Sequence, residues 1–118
     1  MFNFEKLAVW QKAMDLNDRI YRLTAGFPKE ERFGLTNQIR RSAVSIVSNI
    51  AEGSSRSSVA DYARFVEIAS GSLFELVAQL TVALRQNFLA QDDYSTLYQQ
   101  CDEIGKMLSG LRNSLLRA

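Results

Sequence analysis

The chain has 118 residues, no histidine, one cysteine, and 14 basic against 13 acidic side chains, a formal net charge of only +1. Without histidine no Ser-His or Cys-His nucleophilic dyad can be built, and a zinc site would rest on Cys101 and carboxylates, a poor tetrahedral set. One cysteine closes no internal disulfide, and a composition of 47% apolar and 23% charged residues is that of one globular domain over residues 1–118.

The opening residues, MFNFEKLAVWQK, carry Glu5, Lys6 and Lys12 and have no basic start leading into an apolar stretch, so no secretion signal is expected. The first helical run is Val9, Ala13, Leu16, Ile20, Leu23 and Phe27, widened by Trp10, Met14 and Tyr21; it ends around Ala25, Gly26 and Pro28, where a helix cannot readily continue. After the polar PKEERFG comes Leu35, Ile39, Ala43, Ile46 and Ile50, stopping at Gly53 and GSSRSS. Ser58, with Asp61 three residues on, is placed to cap a third helix running through Val59, Tyr62, Val66, Ala69, Leu73, Leu76, Leu80 and Ala83 to about Asn87, a length of about 45 Å. Asp92 and Asp93 precede the fourth run, Tyr94, Leu97, Cys101, Ile104, Leu108, Leu111 and Leu115, and suit the positive end of its dipole.

Alternating steps of three and four with short connections predict an all-α fold, an up-down-up-down antiparallel four-helix bundle. No repeat of twenty to fifty residues points to a helical array. The most apolar window, Leu73 to Leu84, is interrupted by Glu75 and Gln79, short of the roughly 18 uninterrupted apolar residues of a membrane helix. With the lone thiol, this gives a cytoplasmic expectation and no membrane partner.

The second helix is apolar on more than one side. Its main stripe spans about 80°, whereas Val44, Val47 and Ala51 lie together roughly 80 to 140° from Ile39. On the third helix Phe65 and Ile68 fall off the Leu73 stripe, and Phe74 lies on its opposite flank. A broad core contact would explain this; so would an interface, and Val44, Val47, Ala51, Phe65 and Ile68 are the candidates for one in a homo-oligomer.

Charge is unevenly placed beneath the flat total. Residues 35–57 hold three arginines, Arg40, Arg41 and Arg56, against the single acid Glu52. Arg41, Ser45 and Ser48 fall opposite Ile39 and are expected to project away from the core, where guanidinium forks beside hydroxyls suit phosphate oxygens. A solvated face with local salt bridges, such as one to Glu52, accounts for the same residues. At GSSRSS a helix start beside Arg56 could hold an anion, and capping explains the serines equally. No GxxxxGK[ST] or GxGxxG occurs. Glu52, Glu67 and Glu75 read as solvated, Cys101 as a small buried hydrophobe, and Trp10, Tyr21, Tyr62 and Phe65 as packing residues before base-stacking ones. No catalytic residue, metal or cofactor is expected.

The stretches LAVWQKAMDL, IYRLT, FPKEERFGLTNQIRRSAVSIVSNIAEG and YARFVEIASGS resemble the four-helix-bundle family of proteins encoded in intervening sequences of bacterial 23S ribosomal RNA genes. The most specific portion runs from Gly34 and Leu35 through Gln38, Arg40 and Arg41 to Ser45–Gly53; Val47 stands where the family often has proline. The resemblance implies a cytosolic bundle assembled as a ring-shaped homopentamer. A related protein, the accessory protein of diversity-generating retroelements, binds nucleic acid and a reverse transcriptase through a basic surface. That likeness implies Arg40 and Arg41, with Arg56 as a looser third, as candidate nucleic-acid-contacting residues, whereas Asn49 and Glu52, in the family string, look more like determinants of the helix-two end and its subunit contacts. Two roles follow as expectations: a non-enzymatic oligomeric module contacting RNA or another polyanion, or a protein-interaction scaffold whose partner could be a reverse transcriptase.

Overall fold

Apolar residues three and four apart wind into four helices, α1 (Ala8–Thr24), α2 (Leu35–Ser54), α3 (Val59–Arg85) and α4 (Gln91–Arg117), with single 3-10 turns at Asn3–Lys6 and Lys29–Glu31. This computed structural model describes residues 1–117, and no strand occurs among them. Each helix turns one line inward: Val9, Ala13, Leu16 and Ile20 from α1; Ile39, Ala43, Ile46 and Ile50 from α2; Val66, Ala69, Leu73, Leu76 and Leu80 from α3; Leu97, Cys101, Ile104 and Leu108 from α4. The two 3-10 turns have no counterpart in the sequence pattern, since runs of three or four residues leave no periodicity to read.

The helix ends follow local chemistry. The Ser58 hydroxyl accepts the Asp61 N–H at 2.9 Å, the expected cap of α3. At the other end Asn87 takes φ 64°, the left-handed conformation that asparagine tolerates and that stops a helix. Asp92 and Asp93 lie inside the first turn of α4 rather than ahead of it.

α1 packs on α2 and α4, and α3 packs on α2 and α4. Contacts fix the sense of two pairs. Ser42 meets Glu75 and Gln79 while Ser45 meets Ser72, so α2 and α3 run antiparallel. Thr81 meets Tyr94 while Glu67 meets Arg112, so α3 and α4 do too.

The α2–α3 contact corrects one expectation. Ser45 does not project outward with Arg41; its Oγ lies 2.7 Å from Ser72 Oγ on α3, and Asn49 Nδ2 donates to its carbonyl at 2.8 Å. Ser42, one turn before, is buried, with its hydroxyl 2.8 Å from Glu75 Oε1 and 2.9 Å from Gln79 Oε1. Small hydroxyl residues let the two helices approach closely while their own polar atoms stay partnered, so this side of α2 is a helix contact.

By length and composition α3 is apolar enough to cross a membrane, an excess that the interruptions at Glu75 and Gln79 conceal. Its inward line is spent in the core, where α3 packs on α2 and α4. Phe74 and Val82, off that line, are exposed.

Candidate anion-binding face

The structure separates the three arginines expected to act together. Arg40 and Arg41 stand in the second turn of α2, about 22 Å along the helix from Arg56. Arg56 pairs with Glu52 at 2.9 Å, one turn back, and lies 4.6 Å over the Phe65 ring. It therefore belongs to the α2–α3 turn, as the local salt-bridge explanation has it.

Arg40 is also committed. Its Nε donates to Thr24 Oγ1 at 2.9 Å, the Thr24 hydroxyl donates onward to the Ile20 carbonyl at 2.7 Å, and one Nη donates to the Tyr21 carbonyl at 3.3 Å. These carbonyls belong to the last turn of α1, where a cation is favoured by the helix dipole. The guanidinium also lies 4.6 Å over the Tyr21 ring. Arg40 thus ties the end of α1 to the start of α2.

Arg41 has no ion-pair or hydrogen-bond partner among the described residues and is exposed. With Tyr21, Asn37, Arg40, Val44 and Ser45 it lines a depression of about 430 Å³ between α1 and α2. A free guanidinium fork beside a second, fixed one is an arrangement that takes a phosphate or carboxylate oxygen pair. The sequence reading ranked Tyr21 as a packing residue before a base-stacking one, apart from the arginines, and did not single out Asn37. Tyr21 lies on another helix, so no spacing links it to Arg41; Asn37 stands one turn before Arg41 on α2, and that i to i+4 spacing is the signal that could have found it.

The interface candidates divide. Val44 and Ile68 are exposed, Val47 and Ala51 half-buried. Phe65 is buried within the chain, with Gly53 against its Cβ and Arg56 and Arg64 over its ring, so it offers no outward surface. Phe74, by contrast, is 75% exposed. It borders a groove of about 670 Å³ between α3 and α4, lined also by Val77, Tyr98, Cys101, Gly105 and Gly110. The charged groups on this side compensate one another, Glu67 with Arg112 and Asp102 with Lys106.

Carboxylates do not gather: Glu52, Glu67 and Glu75 each have separate partners, and no cluster of three metal-ligating side chains occurs among the described residues. Between α1 and α4, Lys12 pairs with Glu103 at 2.7 Å, which raises the Lys12 pKa through that hydrogen bond. Burial pushes the Cys101 thiol up to about 12 from an ordinary 9.0. The folded state then favours the protonated thiol, so this contribution to stability is intact below pH 9 and is lost as the pH rises toward 12. At about pH 8, below the ordinary thiol range, a disulfide-exchange reagent is expected to leave the folded protein unmodified and to label one thiol per chain in guanidinium. Prompt labelling without denaturant would place the thiol at the surface.

Three comparisons bear on this arrangement. The family model described as 23S rRNA-intervening sequence protein matches residues 5–110. The solved structure of a protein of unknown function from the S23 ribosomal protein family of Bacteroides thetaiotaomicron aligns with a TM-score of 0.83 at 26% identity, covering 89% of this chain and 98% of that one. No curated protein matches the sequence. The family match spans nearly all of α1 to α4, including the Arg40–Arg41 turn, and the chain belongs to the 23S rRNA-intervening sequence protein family.

Proposed function

We propose that this protein is a cytosolic, homo-oligomeric binding module, an up-down-up-down bundle whose α1–α2 face contacts RNA or another polyanion, with binding rather than catalysis as its task. The observation that carries the reading is Arg41, a guanidinium left free beside Arg40 in a helix segment whose arginines outnumber its acids. The family's name, 23S rRNA-intervening sequence protein, makes RNA the polyanion to test first. Fluorescence anisotropy with a structured RNA tests it. Binding is expected to weaken steeply with salt and about tenfold or more on Arg41→Ala, an effect of the size of one charged hydrogen-bonded contact. Arg56→Ala, which removes an arginine already paired with Glu52, is expected to leave it unchanged. No binding at low salt, or binding indifferent to Arg41→Ala, overturns the reading.

Self-association rests on a different observation, the exposed Phe74 and its groove. A side of the molecule 45 by about 21 Å has room for the roughly 800 Å² per partner of a standard interface, and the compensated charges of this face suit an apolar contact better than a polyanion. A second copy, and by the family likeness a ring of five, is the proposed occupant; a protein partner such as a reverse transcriptase is the alternative. Light scattering is expected to show an oligomer for the wild type and a smaller, equally helical species for Phe74→Glu. Val44 lines the arginine depression, so Val44→Glu would mix the two effects, and Ile68→Glu is the cleaner probe of the α2–α3 side. A monomeric wild type contradicts the assembly.

A further inference from the structure

We propose that the depression between α1 and α2 takes an unpaired nucleotide of an RNA strand, with its base against the Tyr21–Arg40 stack and its phosphate on Arg41. This rests on the polyanion reading and narrows it to one structural state of the ligand.

The six lining residues supply different chemistries around an open depression of about 430 Å³. Arg40 and Tyr21 give two planar groups, 4.6 Å apart from guanidinium carbon to ring centroid. Hydrogen bonds to Thr24 and to the Tyr21 carbonyl hold the Arg40 plane there, so little of its side-chain freedom remains to be lost when a base stacks against the pair. Aromatic rings and arginine planes are the surfaces on which splayed-out RNA bases rest. Asn37 offers both a donor and an acceptor to a base edge, and Val44 an apolar margin. Arg41, without a partner of its own, is left for the phosphate.

A duplex cannot use this set. Its bases are stacked inside, so it presents mainly phosphates and sugars to a protein surface, and of the two arginines here one is already bound into the fold. Tyr21, Asn37 and the Arg40 plane would then contribute nothing, and binding would track charge alone.

The test titrates the full-length protein with a labelled single-stranded RNA of mixed sequence, about 12 nucleotides long and so within the usual span of single-strand sites, with the same strand annealed to its complement, and with uridine monophosphate as competitor. The single strand is expected to bind at least about tenfold more tightly than the duplex, and Tyr21→Leu, which keeps apolar bulk without a π face, to remove most of that preference. Tyr21→Phe is expected to retain it, and Asn37→Ala to reduce it. Tyr21 is 40% exposed, and the thermal midpoint of each variant shows whether folding is intact. Equal affinity for strand and duplex, unmoved by Tyr21→Leu but lowered by Arg41→Ala, overturns the nucleotide pocket and leaves the polyanion reading standing. Failure of both RNAs to bind removes both. Displacement by the monophosphate as effective as by the strand assigns the site to a free nucleotide and overturns the RNA source.

Discussion

Replacing Gly53 with leucine is expected to destabilise the protein by about 3 kcal/mol, the upper end of what overpacking a close contact costs, and to lower the thermal midpoint by about 12 °C for a chain of this size. A Cβ at position 53 would stand 2.8 Å from the Cβ of Phe65 and 3.2 Å from a Tyr62 ring carbon. The Phe65 Cβ is fixed to its backbone, so relief requires α2 and α3 to separate where the turn joins them. Even Gly53→Ala is expected to lose stability, although alanine favours a helix interior by about 1 kcal/mol over glycine. Gly71, in α3, faces open space, with nothing within 4 Å of where a Cβ would stand, so Gly71→Ala is expected to gain up to that same amount. Calorimetry of the three variants checks the contrast; a Gly53→Ala protein as stable as the wild type removes the close approach.

The second large effect is expected at Leu76. It is fully buried near the middle of α3, and truncation to alanine removes its contacts and leaves a cavity, at a cost of about 2–5 kcal/mol. Phe74 lies two residues away and makes the opposite case. As it is mostly exposed within the chain, Phe74→Ala is expected to shift unfolding of the isolated chain by less than about 1 kcal/mol while reducing its association. Urea denaturation read at low and high protein concentration separates the two. If Leu76→Ala costs less than about 1 kcal/mol, well below the usual range for such a truncation, the core at that level is loosely packed.

The helices are legible in the sequence because the core line of each is strictly apolar at steps of three and four, and because Ser58 and the Gly26–Pro28 break carry their own turn chemistry. The site is legible only in part. Arg40 and Arg41 are adjacent and look equivalent in the sequence. What distinguishes them is α1: Thr24 and Tyr21 bind one and leave the other, and a contact across sixteen residues has no local pattern. Ser45 misleads for a related reason. Periodicity counts serine as polar and turns it to solvent, whereas here its small volume matters more and places it between two helices. Phe65 looks like surplus apolar area because nothing in the spacing shows that Gly53 leaves room for it.

The N-terminal 3-10 turn has a practical consequence. It lays Phe4 edge-on against Trp10, ring centroids 4.9 Å apart, with Phe2 stacked on Phe4, and Trp10 is the sole tryptophan of the chain. Its fluorescence therefore reports whether the first residues are docked on α1. Eleven residues, or about 16 Å of helix, separate it from Tyr21, too far for direct quenching contact with a ligand bound there. The molecule thus carries a built-in optical label that follows the seating of its leading segment independently of occupancy at the arginine depression.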